Sequence, residues 1–132
     1  MIVLDASAAV AVLLNTDQEV GDIRRRISQS GETLHVPHLF EVEVLQVLRR
    51  HNLGGILPSE RAQLALHRLR ATRLVRYPHA PFWGRIWELR ENLTAYDAAY
   101  ISLAETLDAP LVTTDARLAR ASGHHATIEL YG

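Results

Sequence analysis

Short apolar runs that stop at a carboxylate or a proline alternate with longer helical segments along this chain, and that alternation is the tightest constraint on its fold. Met1–Leu4 reads as a short buried strand, and Leu34–Val36, Leu74–Tyr77, Pro110–Thr113 and Thr127–Tyr131 as further short strands. Between them the patterning predicts helices from Ala6 to about Leu14, Asp17 to Ser30, Pro37 to about His51, and Pro58 to about Ala71. Further helices follow from Pro81, Thr94 to Leu107, and Ala116 to about Ala121. Gly31 and the Gly54–Gly55 pair punctuate the chain. Strands this apolar, each separated from the next by helix, belong to a parallel sheet covered on both faces. The 132 residues suffice for one such domain, expected to span residues 1–132, with no repeat or linker.

Four carboxylates interrupt this pattern where charge is costly: Asp5, Glu43, Asp97 and Asp115. An ionised carboxylate taken out of water must be paired, protonated or bound to a metal. The chain has no lysine, so no lysine can neutralise them. Asp5 and Asp115 each fall just past the carboxyl end of a predicted strand, where open parallel sheets bind ligands. Either one taken alone is also a good helix N-cap. Thr94-Ala-Tyr-Asp97 resembles a capping box, yet helical spacing puts Asp97 on one ridge with Tyr100, Ile101 and Ala104. Glu43 is the most diagnostic, because its ridge neighbours are Leu39, Phe40, Gln46 and Val47. Glu41 lies near the opposite face and reads as a surface charge. A shared divalent cation is the simplest partner for the four, and oxygen-only ligands favour magnesium or manganese. Without metal, clustered carboxylates would have raised, mutually coupled pKa values.

Composition narrows the class of partner. The formal net charge of −1 excludes a generic basic coat for nucleic acid. Setting the four carboxylates aside leaves 11 of the 15 acidic residues against 14 arginines, a mildly basic rim suited to a polyanion. Composition bias is the simpler account of the all-arginine usage. The absence of cysteine excludes disulfides, a thiol nucleophile and cysteine metal ligands. No basic run precedes Met1–Leu4, so no secretion signal is expected, and no uncharged stretch is long enough for a bilayer; the expected setting is the cytoplasm.

Four segments in order, Ile2-Val-Leu-Asp5-Ala-Ser7-Ala, Val36-Pro37 with Glu43 six residues on, Leu93-Thr-Ala-Tyr-Asp97-Ala-Ala-Tyr, and Leu111-Val-Thr113-Thr-Asp115, resemble the PIN-domain nucleases. More narrowly they resemble the VapC-type toxins of bacterial toxin–antitoxin pairs. The resemblance implies a three-layer α/β/α sandwich with a mostly parallel sheet and a magnesium-dependent endoribonuclease activity. It also implies metal-binding and catalytic roles for Asp5, Glu43, Asp97 and Asp115, with Ser7 and Thr113 supporting. A cognate antitoxin and a homodimer are implied as well, with structured loops of transfer or ribosomal RNA as substrate by analogy. Gln46 stands where these toxins often carry asparagine. Arg117 stands where some carry a further acid, which leaves a second metal site open; it reads first as a solvated helix arginine, with contact to the substrate phosphate as the alternative.

The expected chemistry is attack of a metal-activated water on the phosphodiester, leaving a 5′-phosphate and a 3′-hydroxyl. A metal-free mechanism would need paired histidines, but His35, His38, His124 and His125 read as surface groups in or near loops. An aspartate-based phosphotransfer domain would need a second early Asp or a lysine. A catalytically silent scaffold that binds RNA or protein is the reading from a different class. The set Phe82, Trp83, Ile86 and Trp87 reads as core or as interface, and Arg24-Arg25-Arg26 as a solvated helix face.

Overall fold

The computed structural model describes residues 1–14 and 18–132. Five parallel strands, β1 (Ile2–Leu4), β2 (Leu34–Pro37), β3 (Val75–Tyr77), β4 (Leu111–Thr113) and β5 (Ile128–Leu130), form one sheet in the order β3-β2-β1-β4-β5. Their helices are α1 (Ala6–Leu14), α2 (Gln18–Ile27), α3 (Leu39–Leu53), α4 (Ser59–Ala71), α5 (Trp83–Glu88), α6 (Ala95–Leu107) and α7 (Ala116–Arg120). Right-handed crossovers toward β3 place α1 to α4 on one face, and crossovers in the opposite direction place α5 to α7 on the other. The packing agrees: α1 touches α2, α3 and α4, α5 packs on α6, and α7 lies against β4 and β5. This is the expected three-layer α/β/α sandwich.

The middle strands are dry. Every residue of β1 and β4 is buried, which is why their sequences are unbroken apolar runs up to Thr113. Helix α6 is buried from Ala98 through Ala104, packed on β1, β2 and β4. Its alanines let the backbone lie close to the sheet, and Ser102 satisfies its hydroxyl on the Ala98 carbonyl at 2.7 Å. Arg85 ties α5 to α6 through both oxygens of Glu105, at 2.8 and 2.9 Å. Arg26 joins α2 to β5 through Glu129 at 2.9 Å.

Several sequence expectations move. The start of the second helix at Asp17 lies outside the described residues. Pro37 ends β2 instead of opening a helix, because it stays in register with Tyr77 and the next amide, His38, donates to the Tyr77 carbonyl at 2.8 Å. The helix after Pro81 begins as a 3-10 turn, Ala80–Phe82. His35 is no surface group: it is 5% exposed in β2, between the Thr33 hydroxyl (2.9 Å) and the Tyr77 hydroxyl (2.7 Å). Burial and the nearby N-terminal ammonium hold its pKa below the ordinary imidazole value. Phe82 is core, whereas Trp83 and Trp87 are exposed, the latter under the Arg90 guanidinium at 4.7 Å. The basic run of α2 is paired: Arg24 donates to the Val12 carbonyl, Arg25 meets Asp22, and Arg26 meets Glu32 and Glu129.

Candidate active site

The connection after β1 leaves toward β2, and the connection after β4 leaves toward β5 on the opposite face. The crevice where these neighbours part is the topological switch point of the sheet, the place where open α/β folds bind ligands. Asp5 follows β1 directly, and Asp115 follows β4 by two residues. Helix α6 starts at this end of the sheet and carries Asp97 in its first turn, while α3 carries Glu43 in its second.

Asp5 is 7% exposed and is held on one oxygen by two hydroxyls. Ser7 Oγ and Thr113 Oγ1 each donate to Asp5 Oδ2 at 2.7 Å. Each hydroxyl also accepts a backbone amide, Ser7 from Thr114 at 3.1 Å and Thr113 from Asp115 at 3.0 Å. Their hydrogens are thereby committed to Asp5, and the β4 carboxyl end is stitched to the β1–α1 junction. Burial raises the Asp5 pKa against these hydrogen bonds, and Asp115 adds repulsion.

The other carboxylates belong to the same electrostatic group. Glu43 is half-buried; burial raises its pKa and repulsion from Asp5 and Asp97 adds to it, against a hydrogen bond from Tyr100. That bond runs from the Tyr100 hydroxyl to Glu43 Oε1 at 2.6 Å and links α6 to α3. Asp97 is raised by burial and by the charges of Asp5 and Asp115. Its amide donates to Thr94 Oγ1 at 3.2 Å, so the capping geometry and the crevice position coexist. Asp115 runs the other way. Burial pushes it up, but the side chain, amide and charge of Arg117 outweigh that and hold it below the ordinary range. Asp115 caps α7 by accepting the Arg117 amide at 2.9 Å, and the Arg117 guanidinium donates to it at 3.2 Å.

The structure therefore brings Asp5, Glu43, Asp97 and Asp115 to one end of the sheet and puts Ser7 and Thr113 on Asp5. Glu41 points elsewhere, paired with Arg76. Tyr100 is the contact that sequence reasoning gave no role. Its signal was a phenol, three residues after Asp97, in a helix stretch otherwise suited to a plain hydrocarbon. All donors are oxygens, the set that hard divalent ions prefer. Among the described residues no three carboxylate or imidazole groups stand close enough, as placed, to ligate one ion. The donors fit such an ion by kind, they gather at one end of the sheet, and the repulsion among them is what a cation would relieve.

A parallel α/β sandwich with oxygen donors converging on its switch point is the class that fold and site define. The PIN-domain family model matches residues 2–123, and the chain belongs to that family, in its VapC group. It is similar to ribonuclease VapC9 of Mycobacterium tuberculosis, 47% identical over 118 residues, which cover 89% of this chain and 88% of that one. Ribonuclease VapC12 of the same organism is 40% identical over 130 residues, 98% of each chain. Among solved structures, PAE2754 from Pyrobaculum aerophilum superposes with a TM-score of 0.70 at 25% identity, over 96% of this chain and 81% of that one. VapBC2 from Rickettsia felis, bound to a DNA fragment from their promoter, superposes with a TM-score of 0.73 at 17% identity over the whole of both chains, a likeness of fold.

Proposed function

We propose that this protein is a divalent-metal-dependent endoribonuclease in which Asp5, Glu43, Asp97 and Asp115 hold Mg2+, or Mn2+ in its place. The observation that carries this reading is the mutual electrostatic penalty. Burial raises Asp5, Glu43 and Asp97, and neighbouring charge adds to it: Asp115 on Asp5, Asp5 and Asp97 on Glu43, and Asp5 and Asp115 on Asp97. The named ribonucleases at 40% and 47% identity support the same reaction. A divalent ion bound there supplies a Lewis acid that activates water and offsets charge on the phosphate.

The chain's own residues do the rest. Ser7 and Thr113 fix Asp5 by holding one oxygen, so the other is presented in a single orientation. Tyr100 fixes Glu43. Glu43 has one oxygen outside the Tyr100 bond, which suits it to accept a proton from the attacking water. Water attack gives a 5′-phosphate and a 3′-hydroxyl. The proposed partners are structured RNA as substrate, a cognate antitoxin and a second copy of the chain, in the cytoplasm. No described helix is long and apolar enough to cross a membrane.

The test is cleavage of mixed transfer and ribosomal RNA by purified, antitoxin-free protein with Mg2+ or EDTA, beside Asp97→Asn. Cutting that needs Mg2+ and vanishes in the variant is the expected result. Cutting that survives chelation overturns the metal reading. Folded protein that neither cuts RNA nor binds Mg2+ is the silent scaffold instead.

A further inference from the structure

A cleft of about 270 Å³ opens between the start of α6 and helix α7, and Asp97 lies on its wall. The other polar groups lining it are Asn92, Thr94, Arg117 and Arg120. Two cations thus stand beside a carboxylate of the candidate site, three residues apart on one side of α7. Arg117 is 84% exposed and anchored at Asp115. Arg120 is exposed, and no carboxylate among the described residues pairs with it. Asn92 is seated against Gly123, whose φ of 89° and missing Cβ leave the room its amide occupies: a Cβ there would stand 2.1 Å from Asn92 Nδ2.

An RNA strand laid across four carboxylates is repelled everywhere except at the ion. It needs cations just outside the site, and guanidinium forks meet phosphate oxygens in pairs. We propose that this cleft is a subsite for the RNA phosphate next to the one that is cut. Arg120 is its dedicated contact, and Arg117 is shared between Asp115 and that phosphate. The proposal rests on the ribonuclease reading above.

The first measurement is binding of a short, fluorescein-labelled, mixed-sequence single-stranded RNA to Asp97→Asn protein in Mg2+, across a salt series. Arg120→Gln in that background is expected to weaken binding roughly three- to tenfold and to flatten the plot of log K against log salt by about 0.7, the share of one single-strand phosphate. Arg120→Lys restores the slope and only part of the affinity. Arg70→Gln, on α4 across the sheet, leaves the slope unchanged. The second measurement is cleavage kinetics with Asp97 intact, where Arg120→Gln raises KM and leaves kcat within about twofold. RNA cutting and binding indifferent to Arg120, a loss in kcat at constant KM, or an equal drop from Arg70→Gln each overturn the subsite while the ribonuclease reading stands. An Arg120→Gln defect confined to binding of a protein partner overturns it likewise. Failure of every form, wild type included, to bind or cut RNA overturns both.

Discussion

At the scale of single residues, the site is held by short side chains whose hydrogen bonds are fully assigned. Ser7 and Thr113 share one oxygen of Asp5, and each also satisfies a backbone amide. Removing either hydroxyl strands an amide and takes one hydrogen-bond donor from a buried carboxylate. Ser7→Ala and Thr113→Val are each expected to cost about 1–3 kcal/mol in urea unfolding. Because both act on the same oxygen, the double variant should fall short of, or exceed, the sum by roughly 0.5 kcal/mol or more. Strict additivity would mean that the two hydroxyls do not work as one network. Tyr100 is the analogous support for Glu43, and it is itself buried, at 1% exposed.

Among the elements, α6 joins core and site. Its first turn presents Asp97, its middle is buried on the sheet, and Tyr100 reaches Glu43 of α3. Its far end is less well made. Asp108 terminates it in the left-handed region, at φ 49°, a conformation glycine adopts without steric cost. A carboxylate there also opposes the helix dipole. Asp108→Gly relieves both, offset in part by a looser unfolded chain, and is expected to stabilise by about 0.5–1 kcal/mol. Thermal unfolding checks it; a lower Tm would mean that Asp108 has a stabilising partner. Asp108 lies at the opposite end of α6 from Asp97, so RNA cleavage should be unchanged.

For the whole molecule, the carboxylate cluster works against stability until something neutralises it. Asp5, Glu43 and Asp97 bind protons more tightly folded than unfolded. Their contribution is complete below the ordinary carboxylate range and is lost as pH rises through the raised values. Asp115, Glu32, Glu41 and Glu105 have lowered pKa values, so their contribution is present above that range and lost on acidification. Glu43→Gln removes one charge from the cluster and keeps an acceptor for the Tyr100 hydroxyl. In EDTA the variant should match wild type near pH 4 and exceed it near neutrality by ~0.5 kcal/mol, modest because Glu43 is only half-buried and screened. Saturating Mg2+ should cancel or reverse that gain, since wild type binds the ion better. Differential scanning fluorimetry across pH, with and without Mg2+, reads this directly. A gain independent of pH would show that repulsion at Glu43 is not its source.

The chain's own order of residues determined the strands, most helix ranges and the four carboxylates, because those signals are local. Apolar runs, Pro and Gly punctuation, and an acid inside an apolar arc are all visible within a few neighbours. What local signals could not say was where contacts between distant segments fall. Pro37 belongs to β2 only because Tyr77 lies beside it, and His35 is buried only because β1 and β3 flank its strand. The hydroxyls of Ser7 and Thr113 are 106 residues apart in sequence and meet at Asp5 because β1 and β4 are neighbours in the sheet. The Tyr100–Glu43 bond and the cleft that joins Arg120 to Asp97 likewise exist only once α6, α3 and α7 converge on the switch point. Sequence assigns each residue its chemistry from its own atoms and near neighbours. Tertiary structure alone decides which of those groups share a volume, and so which charges repel, which hydroxyls are committed and which cations remain to meet a substrate.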